Sequence, residues 1–313
     1  MEALDDLCTT RARGRQLCET LSFMILRVNQ RAWGANGSAS ATAMEDSTAE
    51  LEAGTVLLLP ELAFRVLLEE RVHFSPSIAA AKNVSFDPST GRIGGARVEG
   101  GEQDALAAML QRFSDSAEAL AQALLPRYRG RLERARASFR PAEIAGRKTT
   151  WRHDDTRLHI DSFPATPVQG RRILRIFTNV NPEGRPRSWR LGEPFEDVAR
   201  RFAAALRAPL PFSGELLRLV GITKSRRSAY DALMLQLHDA MKADVAYQEQ
   251  ATQTAVDFPA GATWLAFTDQ VSHAAMAGQY QLEQTFLLPV EAMERPGQSP
   301  LRILERIKKR RLV

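Results

Sequence analysis

The chain has little of what marks several large protein classes. Only two of its 313 residues are cysteine, Cys8 and Cys18. They lie near the N-terminus, too few for a disulfide framework and not in a Cys-x-x-Cys metal pair, so a reducing compartment is expected. No uninterrupted run of about 18 apolar residues occurs, and no membrane-spanning helix is expected. The longest apolar stretch, Thr55 to Leu68, is broken by Pro60, Glu61 and Arg65. The opening Met-Glu-Ala-Leu-Asp-Asp is acidic and lacks an apolar segment before a small-residue cleavage site, so no secretory leader is expected. No Gly-x-Gly-x-x-Gly, P-loop or Gly-x-Ser-x-Gly is present, which removes the common nucleotide-binding and serine-hydrolase signatures. Aromatic residues make up only 7% of the chain, which disfavours a groove that stacks nucleic-acid bases. Histidine is scarce too: any imidazole chemistry must draw on His73, His153, His159, His238 and His273.

What the chain does have is a normal globular composition, 44% hydrophobic and 25% charged, enough for a proper core. Its net charge is +5 and its pI is near 9.5, which suits an anionic partner such as a phosphate, a sugar acid, a nucleic acid or a membrane surface. The positive charge is mostly arginine, clustered at Arg127 to Arg140, Arg171 to Arg175, Arg185 to Arg190 and Arg306 to Arg311.

Periodicity and turn residues outline the elements. Residues 3–31 read as a helix and Gly34 to Thr42 as a loop. Gly54 to Pro60 reads as a strand stopped by proline, and Leu62 to Arg71 has helical spacing. Residues 84–101 alternate turns with short strands. Ala105 to Leu125 is the clearest helix, and Arg127 to Ala137 is expected to continue it beyond Pro126. Leu158 to Phe163, Arg172 to Asn179, Val256 to Phe267 and Gln279 to Val290 read as strands, with helices at Glu196 to Arg207 and Ser228 to Ala243. The expected fold is a mixed one with a β-rich core, a small barrel or double-stranded β-helix (jelly roll) with helices outside. The expected division is a helical and mixed N-terminal part (1–148), the β core (149–292) and a basic tail (293–313), forming one compact unit.

All candidate ligands fall in the β-rich half. In His159-Ile160-Asp161 the two outer side chains share one face if the backbone is extended. A distant histidine, His273, could complete two nitrogens and one oxygen, the arrangement of non-haem Fe(II) oxygenases. A structural hydrogen bond between His159 and Asp161 is the plain alternative. His153-Asp154-Asp155 is a rival cluster that could extend the site or line the substrate entrance, with a polar strand edge as the plainer reading, and His73 and His238 read as ordinary. On the next strand Arg171 and Arg175 share one face and Arg172 the other. Arg175 is flanked by Leu174 and Ile176, so its guanidinium needs an anionic partner, either a bound carboxylate or a structural acid.

This order of motif, basic strand, apolar strand and distal histidine resembles the Fe(II)/2-oxoglutarate-dependent dioxygenase superfamily over residues 149–290. The resemblance implies His159, Asp161 and His273 as iron ligands, with 2-oxoglutarate and O2 as cosubstrates. One departure stands out: Ala274 to Pro289 contains no basic residue to clamp the cosubstrate. A subset of the superfamily takes that residue from the strand after the motif, which implies Arg175, with Thr178, Asn179 and Gln284 as further donors.

More narrowly, the layout resembles the hydroxylases of 3-deoxy-D-manno-oct-2-ulosonic acid (Kdo), a sugar acid of lipopolysaccharide. The likeness is carried by Thr149 to Pro164, the arginine-rich strand, Asn179-Val-Asn-Pro182 and the basic tail. It implies hydroxylation at C3 of Kdo on a lipid A-linked acceptor, giving the product Ko. Arg127, Arg152, Arg157, Arg185 and His153 are the candidate substrate contacts, with Arg129 and Arg187 further options. The expected location is cytoplasmic, peripheral on the inner membrane through the tail Leu301 to Val313, which reads as a basic amphipathic helix or else a solvated tail, with no nucleic-acid partner. Two rivals stay open: a 2-oxoglutarate oxygenase acting on a protein or nucleic acid, and a non-enzymatic β-barrel binding an anionic glycan or nucleic acid.

Overall fold

A computed structural model describes residues 24–34 and 46–313. In chain order the elements are β1 (Ile25–Arg27), α1 (Thr48–Glu52), β2 (Val56–Leu59), β3 (Val84–Asp87), β4 (Arg92–Gly94), α2 (Gly100–Leu124), β5 (Glu133–Arg140), β6 (Arg172–Asn179), β7 (Arg187–Leu191), α3 (Phe195–Arg201), α4 (Ser213–Leu219), α5 (Ala229–Ala243), α6 (Val245–Gln250), β8 (Thr254–Phe258), β9 (Thr263–Phe267), β10 (His273–Ala277), β11 (Gln281–Leu288) and α7 (Pro300–Lys308). Eight strands form one sheet in the order β1-β2-β9-β6-β11-β5-β3-β4, and three form a second, β10-β7-β8. Every pairing is antiparallel except β1 with β2.

The central strands are buried on both faces, so their side chains split by alternation. In β6, Leu174 and Ile176 join the helices on one side, while Phe177 faces the small sheet. β9 does the same, with Leu265 and Phe267 toward the helices and Trp264 and Ala266 toward the small sheet. Between the sheets Trp264 stacks on Phe258 with ring centres 4.1 Å apart, and Trp189 packs edge-on against both. Each large side chain buried in this way stabilises the fold by roughly 1.5–3 kcal/mol.

Helix α2 buries Leu106, Met109, Leu110, Phe113, Ala117, Leu120 and Leu124, the three-and-four spacing that made it legible, and Pro126 follows its end. Helix α5 begins with a capping box. Ser228 Oγ accepts from the Asp231 amide and Asp231 Oδ2 accepts from the Ser228 amide, at 3.1 and 2.9 Å. Asp231 Oδ1 also accepts from the amides of Val168 and Gln169, which ties the helix start to the loop after the His-x-Asp motif.

Several segments differ from expectation. The helix expected over residues 3–31 lies mostly outside the described residues, as do Cys8, Cys18 and most of the Gly34–Thr42 loop; its described end is the strand β1. Leu62 to Arg71 is not an α-helix. Leu62 and Phe64 are buried while Ala63 and Arg65 are exposed, the alternation of an extended chain, and a 3-10 turn follows at Glu69–His73. Arg127 to Ala137 does not continue α2. A 3-10 turn at Pro126–Tyr128 ends it, and Glu133–Arg140 becomes a strand paired on both sides, with β3 and β11, so partners override helical propensity. Leu158 to Phe163 is extended but joins a ladder only at His159. The tail does form a basic amphipathic helix, but its apolar residues Leu301, Ile303 and Leu304, with Leu312 beyond its end, are buried in the main core and not free to meet lipid. Its apolar side is thus largely used up, and apart from Val313 the side chains left exposed from Leu301 onward are cations. Among the described residues no helix is long and apolar enough to cross a membrane.

Candidate metal centre

The His-x-Asp segment bridges the open end of the two sheets. Gln248 holds its start: its Oε1 accepts from the Leu158 amide at 2.7 Å and its Nε2 donates to the Leu158 carbonyl at 3.0 Å. His159 and His273 exchange both backbone hydrogen bonds at 2.9 Å, and the Asp161 amide donates to the Thr268 carbonyl at 2.8 Å. This extended backbone sends both outer side chains of the motif to one face. One ligand atom each from His159, Asp161 and His273 lie within 4.8 Å of one another. His159 Nδ1 pairs with the Arg157 carbonyl at 2.7 Å and His273 Nδ1 with the Val271 carbonyl at 2.8 Å. With Nδ1–H donated to a carbonyl, each Nε2 keeps its lone pair.

The electrostatics favour the ligating forms. Burial, helped by His273 and Lys242, holds the His159 imidazole well below its ordinary range. Burial also lowers His273 against the pull of Asp161. For Asp161 burial acts upward, but Arg175 and the two imidazoles outweigh it and keep the carboxyl well below the usual range. Two neutral imidazoles and one ionised carboxylate on one face are a hard, mixed N/O donor set that suits Fe(II).

The three residues open into a cleft of about 540 Å³. Its walls carry Lys82, Arg140, Arg175, Arg187 and Lys242 against Asp155, Asp161, Asp239 and Glu283, with Phe163, Phe177 and Trp189 as apolar lining. Arg175 Nη1 lies 3.3 Å from Asp161 Oδ2 and 3.4 Å from Glu283 Oε1. Arg140 pairs with Glu283 at 2.9 Å, and Asp155 is surrounded by Lys82, Arg147 and Arg140 at 3.2, 2.9 and 3.7 Å. Arg187 donates to the Gly278 carbonyl at 2.7 Å. Gly278 has a φ of +111°, and a Cβ there would meet Arg187 Cδ at 2.8 Å, so the turn needs glycine to lie on the arginine. Burial and Arg140 pull the Arg187 guanidinium down to about 9. The buried donors Arg175 Nε, Arg187 Nε and Trp189 Nε1 have no hydrogen-bond partner among the described residues. Unpaired buried donors on a cation-rich wall fit an anionic carboxylate ligand.

The other candidates divide by position. Arg152 and His153 line the cleft at its exposed rim, where Arg152 pairs with Asp239 at 3.1 Å. Arg127 and Arg129 are exposed elsewhere, Arg157 turns behind the motif to the Lys242 carbonyl, and Arg185 pairs with Glu183 outside the cleft. Thr178 faces away, bonded to the Ala262 carbonyl and Thr263. Asn179 braces the Arg185 and Phe258 carbonyls, and Gln284 donates to the Ala135 and Thr285 carbonyls. On β11 it is Gln281 and Glu283, one residue out of phase with Gln284, that face the cleft. Arg172 is the structural ion pair of its strand, fully buried against Asp269 at 2.8 Å. The sequence reading missed Lys82, Arg140, Glu283 and His238. The His238 ring stands edge-on to His159 at 5.5 Å. It shares a face of α5 with Leu235, Asp239 and Lys242, a three-and-four spacing visible in the sequence but indistinguishable there from an ordinary helix face.

Comparison with known proteins bears on this geometry. A family model for 3-deoxy-D-manno-oct-2-ulosonic acid (Kdo) hydroxylase matches residues 34–311. Among solved structures, the chain is similar to the Kdo hydroxylase KdoO, described as a non-heme Fe(II) alphaketoglutarate (2-oxoglutarate) dependent dioxygenase. In its complex with alphaketoglutarate and Fe(III) that protein is 43% identical over 93% of this chain and 97% of its own, with a TM-score of 0.88. Its apo structure gives 44%, 93%, 97% and 0.89, and its cobalt(II) complex 44%, 92%, 97% and 0.88. No curated protein matches the chain.

Proposed function

The chain belongs to the Kdo hydroxylase family, and from that premise we propose that it is an Fe(II)- and 2-oxoglutarate-dependent dioxygenase that hydroxylates C3 of Kdo on a lipid A-linked acceptor, giving Ko. The observation that carries the reading is the single open face made by His159, Asp161 and His273 at the base of a cation-walled cleft. Iron held on that face supplies, with 2-oxoglutarate and O2, the oxidising power for inserting one oxygen into a C–H bond.

The chain's own residues do the rest. The carbonyls of Arg157 and Val271 fix the two imidazoles in the tautomer that offers Nε2. Arg175 acts as the clamp for the far carboxylate of 2-oxoglutarate, with Arg187 and Trp189 offering their unpaired donors to the same ligand. Phe163 and Phe177 exclude water beside it. Arg152 and Lys82 at the more exposed edge meet the sugar acid and neighbouring phosphates, where a flexible, partly hydrated cation can follow a large acceptor.

The test is mass spectrometry of Kdo–lipid A after incubation with the enzyme, Fe(II), ascorbate and 2-oxoglutarate. A gain of one oxygen on the sugar is expected. Succinate formation with no oxygen on this acceptor would leave the oxygenase but remove the substrate.

A further inference from the structure

Beside the cleft mouth the chain presents an apolar surface that none of the described residues covers. Among the described residues, six of the eleven exposed large apolar side chains lie between Leu210 and Ile222: Leu210, Phe212, Leu216, Leu219, Val220 and Ile222. Each is 56 to 81% exposed. The other five are spread along the chain, with only Leu68 and Val72 near each other in sequence. Helix α4, at the centre of the patch, buries none of its residues, so packing does not explain its sequence. Phe212 sits just before it with a φ of +61°, a left-handed conformation that a bulky side chain adopts only under strain, and its ring points outward at 81% exposure. An apolar patch of this kind marks an interaction site.

Charge identifies the partner. The stretch from Arg207 to Arg227 carries Arg207, Arg218, Lys224, Arg226 and Arg227 against Glu215 alone. Exposed apolar side chains interspersed with and followed by cations are the pattern of an element that sits in the headgroup layer of an anionic membrane. Position agrees. The Lys224 amide donates to the Ala165 carbonyl at 2.9 Å and Arg227 to the Pro164 carbonyl at 2.6 Å, and Pro164 itself lines the cleft.

We propose that Leu210–Ile222 is a membrane-docking element that sinks its apolar side chains into an anionic lipid surface and brings the cleft mouth to the headgroups. This replaces the expected docking through the C-terminal helix, whose apolar side is buried. It rests on the reading that the acceptor is lipid-linked: such an acceptor offers its sugar just above the headgroups, where a mouth beside the docking element would meet it.

The test is co-sedimentation of the full chain with vesicles of phosphatidylcholine, with and without phosphatidylglycerol. The wild type should pellet with the anionic vesicles, bind the neutral ones weakly, and release as salt rises. The triple variant Leu210→Ser, Phe212→Ser, Leu219→Ser should lose about tenfold or more in partitioning. It should keep wild-type turnover of 2-oxoglutarate without acceptor, which also reports that it is folded. Binding by the variant within twofold of wild type, or no binding by the wild type, overturns the proposal. So does a concentration-dependent dimer that the variant abolishes without vesicle binding, which would give the patch to a second copy. Vesicle binding needs no turnover, so failure of Kdo hydroxylation alone would remove the proposed acceptor and leave the docking result intact.

Discussion

Replacing Arg175 by methionine removes a guanidinium that stands 3.3 Å from Asp161 and 3.4 Å from Glu283 and is only 12% exposed. Both contacts use Nη1, and Nε has no partner among the described residues, so Nε and Nη2 can grip a carboxylate as a fork. Two charge-assisted hydrogen bonds at the low end of their range, about 1.5 kcal/mol each in a cleft that water can enter, sum to about 3 kcal/mol. That predicts a rise of about a hundredfold in the KM for 2-oxoglutarate. Lysine at the same position keeps the charge but loses the fork, and should cost about tenfold. Succinate release without acceptor measures both. Iron binding is the control. Without Arg175 the Asp161 carboxyl loses the strongest of the pulls that hold it down, but all three ligand side chains remain and a bound cation favours the ionised carboxylate, so Fe(II) affinity at pH 7 is expected to stay near wild type. A KM within threefold of wild type in the methionine variant would refute the clamp.

Other expectations follow from the same geometry. Thr178→Val and Gln284→Met should leave the KM for 2-oxoglutarate within about twofold in the same assay, because both side chains are bonded away from the cleft. Arg172→Met should lower stability in urea by about 3–5 kcal/mol, because it strands Asp269 in the core, and adding Asp269→Leu should recover most of the loss. Asp155 is held well below the ordinary aspartate value of 3.8: burial acts upward, but Arg140 and Lys82 dominate. Its contribution is therefore present above pH 3.8 and lost as pH falls below it. In denaturant titrations from pH 7 to pH 3, Asp155→Asn should be less stable at neutral pH and show a flatter acid limb; parallel curves would contradict the assignment.

The catalytic half was legible because its signals are local. A strand period places His159 and Asp161 together whatever the rest of the chain does. Leu174 and Ile176 mark β6 as buried, and that fixes Arg175 on the opposite face from Arg172. The same alternation, applied to Thr178 and Gln284, would have put them on the helix side. Donor chemistry alone points to Thr178 and Gln284, whereas alternation on β11 points to Glu283. Glu133 to Arg140 could not be read correctly from its own residues. Its Glu-Arg-Ala-Arg-Ala favours helix, and only pairing with β3 and β11 makes it a strand. Arg140 was lost with it. Lys82 and His238 reach the cleft from a loop and a helix far apart in sequence, through contacts no single-chain pattern encodes. The tail's helical period was visible, but not which surface its apolar side would meet.

The central claim is that His159, Asp161 and His273 together hold one iron. Anaerobic Fe(II) titration of the purified chain, with 2-oxoglutarate present and the bound metal counted after desalting, tests it directly. The account predicts one iron per wild-type chain and none retained by His159→Ala, Asp161→Ala or His273→Ala, each still folded by circular dichroism. Iron retained at the wild-type level by any folded member of the three would contradict it.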